Sequence, residues 1–325
     1  MQRSNVGAHH EPFPARVWVI ANPTAGGHRR QKRLNAAISF LQSNLPISVV
    51  RQTQCRGDAE RWARESVANK VALLIGSGGD GTVNEIANGL AGSDVALGIL
   101  PAGTSNVVAC ELGIPRDPVE AARGILGGQV ERLHLGCAEY SPLANVSPDV
   151  NGVTGERATR YFLFAAGLGF DACVCHRVHR KLRRWGRKAT FFFDGLCLLT
   201  RYRSPRLHVT LDGGAPTVCC ELIVSKASSY AGRFCLAPEA SLRKPDLDAR
   251  LFLRPGRWNL LRYAWGIVRS RITIYSDVLC RKAQSIEVAA DGVVYLQLDG
   301  DTVGRAPVRF TVRRDALSVV VPPTG

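Results

Sequence analysis

A glycine-rich loop around one aspartate is the first place in this chain where residue types and spacing suggest chemistry. It follows the apolar segment Val71–Ile75, and we expect a helix to begin near Thr82, which stands at capping-box spacing from Glu85. Glycines let such a loop turn tightly and approach a ligand, and a helix N-terminus attracts phosphate. The pattern favours a phosphate site, and a tight turn without a ligand is the alternative. The residues concerned are Gly76, Ser77, Gly78, Gly79, Asp80, Gly81, Thr82, Asn84 and Glu85.

A second and a third loop of the same kind follow apolar segments elsewhere in the chain. After Val95–Leu100 we expect a helix to begin at Thr104 or Ser105, and after Val17–Ala21 one through Leu34 and Leu41. Successive strand–loop–helix units predict a parallel sheet whose loops gather at one edge, where ligands bind. Residues expected at the same ligand are Asn22, Gly103, Thr104 and Asn106, and helix capping or an ordinary turn is the alternative.

The charge and the cysteines limit the partners and the compartment. A net charge of +15 favours an anionic membrane surface, nucleic acid or phosphorylated ligands. No recognition helix or aromatic-rich platform motif stands out, so we expect no nucleic-acid partner. The ten cysteines form no CxxC pair and predict a reducing, cytoplasmic environment. A metal site is a further possibility, with Cys173, Cys175, His176 and His179 as its ligands. Their spacing fits no standard zinc module.

The chain is long enough for two domains. We expect residues 1–14 to be a disordered lead-in without the apolar core of a signal peptide, and no run reaches the length of a transmembrane helix. Strand and helix patterns alternate as far as residue 134, which predicts an α/β nucleotide-binding domain over 15–134. Short strand-like runs then predict a mostly β sandwich domain over 135–314, with a cleft between the two domains. Helical patches interrupt these runs at Val174–Arg184 and Trp258–Ser270.

Seven segments in family order carry a resemblance to the diacylglycerol kinase catalytic domain family. The chain resembles its bacterial soluble lipid kinase branch, which is related to sphingosine kinases and more remotely to NAD kinases. GGDGTVNE with a downstream GTSN and a C-terminal LDGD is a specific combination, whereas GGDGT alone also fits NAD kinases. The segments are NPTAGG (22–27), TQCRGDAERWA (53–63), GSGGDGTVNEIANGL (76–90), LGILPAGTSNVVACELGIP (97–115), AAGLGFDA (165–172), APEASLRKPDLD (237–248) and LDGD (298–301).

The resemblance implies ATP-dependent phosphorylation of a lipid hydroxyl, with Mg²⁺ and with a final strand, about 315–325, that returns to the first domain. Because the chain has no GxxxxGK[ST] motif, the glycine-loop backbone must hold the phosphates, with Thr53 beside the nucleotide. Asp80 is expected on the Mg²⁺ side or as an acceptor for the hydroxyl, and a loop-stabilising aspartate is the alternative. Asp299 is expected to be the general base, although LDG between strands is also a turn signal. The family usually has DGE there, and Asp301 replaces the glutamate.

A second departure concerns a structural Mg²⁺ that the family holds near residues 237–248. Lys244 and Pro245 stand where the family has Asp-Gly, and an ammonium cannot ligate a cation. Either Lys244 takes the place of the metal, or Asp246 or Asp248 ligates it. We expect this structural metal to be lost and the Mg²⁺ that accompanies ATP to be kept.

Access to a lipid requires a membrane-facing surface, and the basic segment Arg177–Lys188 is our candidate for an anionic membrane surface. It holds seven Lys or Arg residues and Trp185. A solvated basic helix is the alternative. We therefore expect a cytoplasmic enzyme that associates peripherally with the inner face of the membrane. An oligomer is possible.

Diacylglycerol is the first-choice acceptor. Sphingoid or ceramide-type lipids and phosphatidylglycerol stay open, because acyl pockets carry little local signature. A non-catalytic nucleotide or lipid sensor on the same fold is the rival class, and an enzyme resembling NAD kinase, with a soluble acceptor, is another.

Overall fold

The computed structural model describes residues 16–143, 157–181, 199, 202–230 and 234–323. The expected lead-in over 1–14 lies outside the described residues, and so does most of the basic segment Arg177–Lys188. Among the described helices none is both long and apolar enough to cross a bilayer.

The first part of the chain is an α/β unit. Apolar strands β1, β3 and β4 are buried along their whole length, as expected for a parallel sheet covered by helices. The parallel pairings give the order β4-β3-β1-β2, so the loops that follow β1, β3 and β4 meet at one edge. The elements are β1 (Val17–Ala21), α1 (Gly27–Asn44), β2 (Ile47–Gln52), α2 (Asp58–Ala68), β3 (Leu73–Gly78), α3 (Asp80–Leu90), β4 (Ala96–Pro101), α4 (Val107–Glu111) and α5 (Pro118–Gly127).

The second part consists mostly of antiparallel strands. Its core is a separate apolar cluster that includes Phe162, Leu222, Leu296 and Phe310. The elements are β5 (Gln129–Pro142), β6 (Ala158–Phe162), β7 (Ala165–Leu168), α6 (Phe170–Lys181), β8 (Leu207–Leu211), β9 (Thr217–Cys219), β10 (Glu221–Ser225), β11 (Ser229–Tyr230), β12 (Phe234–Cys235), β13 (Leu247–Phe252), α7 (Arg257–Val268), a 3₁₀ turn (Ile272–Ile274), β14 (Val278–Ala283), β15 (Ser285–Ala290), β16 (Tyr295–Leu298) and β17 (Asp301–Val321).

Two long strands, β5 and β17, join the parts. They pair with each other antiparallel, with register shifts between Arg305 and Val308 and between Arg313 and Leu317. The end of β17 also pairs parallel with β4, where Ser318 lies opposite Ala96. In the described part of the chain, fifteen strands thus form one mixed sheet. The sequence has two short strand-like runs here, Arg309–Val312 and Leu317–Val321. One continuous strand runs through both, because a local register shift absorbs the break between them.

Candidate active site

Helix α3 begins at Asp80, two residues before the expected start. Gly79 is the N-cap in extended backbone, and no side chain caps the helix. The predicted capping box of Thr82 and Glu85 is therefore wrong. The first N–H groups of α3 keep their capacity to bind an anion, because a helix leaves these groups without an internal partner.

Thr82 and Glu85 instead connect α3 to neighbouring loops. The Thr82 hydroxyl accepts a hydrogen bond from the Asn22 amide at 3.2 Å. The Glu85 carboxyl accepts hydrogen bonds from backbone N–H groups at the start of α2, at Gly57 and Ala59, and burial raises its pKa. Thr82 thus connects α3 to the loop after β1, and Glu85 connects it to the loop after β2. The capping box does not form because both side chains bond to these loops instead.

The loops after β3 and β4 touch each other through two glycines. A Cβ atom placed on Gly103 would lie 2.7 Å from the Cα of Gly79, and one placed on Gly79 would lie 3.2 Å from the Cα of Gly103. The loop after β1 joins them, since a Cβ on Gly26 would lie 2.5 Å from the Ala102 carbonyl oxygen. We call the contact between Gly79 and Gly103 the loop junction. Side chains are excluded there, so a ligand could approach the backbone closely.

Helix α4 begins at Val107, which is later than the expected start at Thr104 or Ser105. Asn106 takes a left-handed conformation with φ of 50°. Its side chain accepts a hydrogen bond from the Gly103 N–H at 2.8 Å and donates one to the Gly103 carbonyl at 2.9 Å. Asn106 thus closes the loop on itself, while Thr104 is exposed in it.

Asp80 connects the two glycine loops. Its Oδ1 accepts a hydrogen bond from the Val107 N–H at 2.6 Å, so the carboxylate lies at the start of α4. Burial raises the pKa of Asp80, while N–H groups at the start of α4 oppose the rise. The aspartate therefore has the loop-stabilising use, and its position beside the loop junction is also compatible with a metal that accompanies phosphate.

The remaining predicted residues of the first part lie at the same sheet edge. Asn22 follows β1, and its N–H donates to the Ser77 carbonyl of β3 at 2.8 Å. Thr53 follows β2, and its N–H donates to the Ala21 carbonyl at 2.9 Å. Gly76 and Gly78 pack tightly, since a Cβ on them would lie 2.7 Å from Ile86 and 2.5 Å from Thr82. These two glycines make room for α3.

Asp299 lies in the tight turn between β16 and β17, where it and Gly300 have φ of 50° and 85°. Its Oδ1 accepts from the N–H groups of Phe164 (2.9 Å) and Ala165 (3.0 Å). Its Oδ2 accepts from the Leu163 N–H (2.8 Å) and from the Asn84 amide (2.7 Å). A carboxylate has about four acceptor positions, so all of them are engaged. Burial raises the pKa of Asp299 to about 6, against four hydrogen bonds that favour the charged form.

The bond between Asn84 and Asp299 brings the downstream turn to the glycine loop. Asn84 lies one turn after Asp80 on α3, about 6 Å along the helix. Its Oδ1 accepts from Arg160 at 2.9 Å, and Arg160 also pairs with Glu60 of α2 at 3.2 Å. This buried network fixes α3 against β6 and the turn.

Asp301 has a more open environment than Asp299. Its side chain is partly exposed and lies 3.1 Å from the Arg56 guanidinium in the loop before α2. A second cation, Arg30 of α1, donates to the Gly103 carbonyl. Sequence reasoning singled out neither arginine. The signal for Arg56 was its place inside the segment TQCRGDAERWA.

The predicted structural metal position holds a lysine, and that lysine is Lys226 of the loop after β10. Its fully buried ammonium donates to the carbonyls of Ser241 (2.6 Å) and Lys244 (2.5 Å). Burial lowers the pKa of Lys226 to about 8. The Lys244 ammonium, which we considered for this place, donates instead to the Glu239 carbonyl at 2.9 Å.

The acidic residues of this loop do not complete a metal site either. The Asp248 carboxylate is buried and pairs with Arg250 at 2.5 Å. Asp246 lies partly exposed before β13. In the parts of the chain described, no group of three or more His, Cys, Asp or Glu could hold a metal. A structural Mg²⁺ therefore does not fit here, because a lysine and an arginine already engage the oxygen atoms.

Two family models match the chain. The first, described as the diacylglycerol kinase catalytic domain, matches residues 16–138. The second, described as the YegS C-terminal NAD kinase beta sandwich-like domain, matches residues 165–321. The chain belongs to the diacylglycerol kinase family. Its catalytic domain makes it a lipid kinase.

Individual relatives of this lipid kinase match over almost the whole chain. A diacylglycerol kinase of Bacillus subtilis (strain 168) is 28% identical over 312 residues, which cover 94% of this chain and 96% of the relative. One of Mycobacterium tuberculosis (strain ATCC 25618 / H37Rv) is 28% identical over 315 residues, 95% and 96% of the two chains. A crystal structure of a diacylglycerol kinase from Bacillus anthracis has a TM-score of 0.66 at 21% identity and covers 95% of this chain and 97% of that one. The last likeness supports the fold alone.

Proposed function

We propose that this lipid kinase transfers the γ-phosphate of ATP to the hydroxyl group of diacylglycerol and produces phosphatidic acid. The observation that carries the proposal is the hydrogen bond from Asn84 to Asp299, because it brings the turn at 299–301 to the helix that begins at the loop junction. Phosphoryl transfer needs positioning and charge neutralisation, and both depend on such a convergence of backbone N–H groups and side chains.

ATP would place its phosphates at the loop junction, against N–H groups at the start of α3. The dipole of a helix contributes only about 0.3–1 kcal/mol per charge at an exposed position, so cations must add to it. The candidates are Arg30, which bonds to Gly103, and Arg56, which pairs with Asp301. Their guanidinium groups would neutralise charge on the triphosphate.

Mg²⁺ would enter with the nucleotide, since this ion commonly binds through one or two carboxylates and substrate phosphates. Asp80 is the residue that would hold it, because its carboxylate lies beside the loop junction. The metal would supply charge neutralisation between the phosphate oxygens. The other metal candidates, Asp246 and Asp248, take no part in this proposal.

We assign the proton acceptor to Asp301 rather than to Asp299. A general base must come within hydrogen-bond reach of the hydroxyl, and four hydrogen bonds hold the Asp299 carboxylate in place. Asp301 is two residues away in the same hairpin and partly exposed. Asp299 would then hold the hairpin, and Arg56 would orient the Asp301 carboxylate.

Membership of the family supports the proposed acceptor lipid and the proposed approach to the membrane. Relatives over the whole chain are named diacylglycerol kinase, which supports diacylglycerol over sphingoid bases, ceramide-type lipids and phosphatidylglycerol. Peripheral association with the cytoplasmic membrane face would bring the enzyme to its substrate. Of the basic segment proposed for this contact, Arg177 in α6 is exposed.

The test is incubation of the purified protein with Mg²⁺, γ-labelled ATP and vesicles that carry one candidate lipid each. We expect labelled phosphatidic acid from diacylglycerol vesicles, identified by its mass. Label in a sphingoid, ceramide or phosphatidylglycerol product would mean that this lipid, and not diacylglycerol, is the acceptor. Hydrolysis of ATP without any labelled lipid would overturn the proposal.

A further inference from the structure

Helix α7 presents apolar side chains on two opposite sides. Its inner side, with Leu260, Tyr263 and Gly266, is buried against an apolar cluster that includes Phe252 and Ile272. These contacts anchor the helix to the sheet. The inner side alone explains why the helix packs where it does.

The outer side carries a second apolar stripe that no described residue covers. Trp258 is 74% exposed and Trp265 57% exposed, and Leu261 and Val268 are exposed beside them. At 3.6 residues per turn these four positions fall within roughly 80° of the helix circumference. Ile274, in the 3₁₀ turn that contacts α7, is 70% exposed. Single exposed apolar residues are ordinary, but a contiguous stripe with two tryptophans marks an interaction surface.

Cations surround this stripe. Residues 253–276 include five arginines and no aspartate or glutamate. The guanidinium carbon of Arg257 lies 5.8 Å from the Trp258 ring centroid, and that of Arg269 lies 4.6 Å from the Trp265 ring. Arg262 is engaged by Asp277, whereas Arg257, Arg269 and Arg271 are exposed. We call the stripe, Ile274 and these three arginines the α7 surface.

We propose that the α7 surface docks on an anionic lipid bilayer, with α7 lying in the plane of the interface. Its charge is complementary to anionic headgroups, and tryptophan prefers the boundary between headgroups and acyl chains. With 12 residues the helix is about 18 Å long, too short to cross a hydrocarbon core of about 30 Å. The choice of a bilayer as occupant rests on the proposed lipid kinase function, since the substrate of such an enzyme resides there.

The proposal assigns a membrane contact that is separate in sequence from Arg177–Lys188. Each arginine near an anionic surface contributes about 1 kcal/mol, and the contribution falls with salt. Loss of two such arginines therefore weakens binding by about 30-fold. Burial of two tryptophans adds a salt-independent part.

The test is flotation of the full chain with vesicles of phosphatidylcholine, alone or mixed with phosphatidylglycerol, without ATP or diacylglycerol. We expect binding to the mixed vesicles, weakened about 30-fold or more by Arg257→Glu with Arg269→Glu, and strongly by Trp258→Ser with Trp265→Ser. Matched controls are Arg313→Glu with Arg314→Glu, and Val130→Ser with Val218→Ser. These change exposed arginines and exposed apolar residues elsewhere and should bind like the wild type.

Unchanged vesicle binding by both α7 variants, with wild-type melting temperatures, would overturn the proposal. A wild-type dimer that the tryptophan substitutions dissociate, with vesicle binding intact, would overturn it too and identify a second copy as the occupant. Phosphorylation of a short-chain, water-soluble diacylglycerol separates this test from that of the function. The α7 variants should keep that activity, whereas its absence in the wild type counts against the proposed function and leaves the vesicle result standing.

Discussion

Asp299 and Asp301 are separated only by Gly300 and have different partners. Asp299 is held by three backbone N–H groups and Asn84, while Asp301 is partly exposed beside Arg56. This contrast separates a positioning residue from a group that can exchange a proton. Sequence spacing could not make the distinction, because it does not show which carboxylate the backbone N–H groups at 163–165 engage.

We predict that Asp301→Asn lowers kcat by about 10²–10⁴-fold, the usual contribution of a positioned base. The melting temperature and the KM for ATP should change little, because the side chain is partly exposed. Steady-state kinetics on diacylglycerol vesicles measure both parameters. Asp301→Glu should keep measurable activity, and an Asp301→Asn variant with wild-type kcat would refute the assignment.

The pH dependence of stability tests the environment of Asp299. Burial raises the pKa of this carboxyl from 3.8 to about 6 in the folded state. Its contribution to the free energy of unfolding is therefore fully present below pH 3.8 and is lost as the pH rises through 6. The stability difference between wild type and Asp299→Asn should fall by on the order of 3 kcal/mol between pH 4 and pH 7. A difference that grows with pH in urea titrations would mean that the hydrogen bonds dominate over burial.

At the scale of the elements, three strand–loop–helix units bring their loops to one edge of the sheet. The apolar runs of β1, β3 and β4 predicted this arrangement well, because a buried parallel strand has a strong local signal. The helix starts were predicted poorly. Thr82 resembles a cap in sequence, but its hydroxyl bonds to Asn22, and Asn106 rather than Thr104 precedes α4. Contacts between loops, which a local pattern does not contain, decided both cases.

The close contact at the loop junction leads us to predict that a methyl group added at Gly103 weakens ATP binding. In Gly103→Ala the new Cβ would lie 2.7 Å from Gly79 and 2.9 Å from Asn106 Oδ1. Overpacking of this kind costs about 1–3 kcal/mol of folding free energy. The displaced loops should also bind ATP more weakly, by on the order of tenfold. Gly127→Ala is the matched control, since its Cβ would meet nothing within 4 Å. Equal ATP binding by both variants in calorimetry would mean that the loop junction is not part of the nucleotide site.

At the scale of the whole molecule, β5 and β17 make the two parts one sheet. The family resemblance implied the return of the last strand, and periodicity alone could not have shown it. The pairing of Ser318 with Ala96 spans more than two hundred residues of sequence. The same holds for Asn84 and Asp299, which only the fold brings together. Long-range pairing depends on the summed packing of both cores, whereas the motifs report local chemistry.

The buried Lys226 ammonium predicts how the second part responds to metal. It already binds two carbonyl oxygens, so Mg²⁺ without nucleotide should leave the melting temperature unchanged. Lys226→Met should destabilise the fold by about 1–3 kcal/mol for each carbonyl left without a partner. Differential scanning calorimetry measures both effects. A rise of several degrees on adding Mg²⁺ to the wild type would contradict this interpretation.

The structure of the protein with a non-hydrolysable ATP analogue and Mg²⁺ tests the account most directly. We predict phosphate oxygens within hydrogen-bond distance of main-chain N–H groups at the start of α3, with the γ-phosphate facing Asp301. A triphosphate bound away from the Gly79–Gly103 contact, or with its terminal phosphate turned away from the hairpin at 299–301, would contradict it.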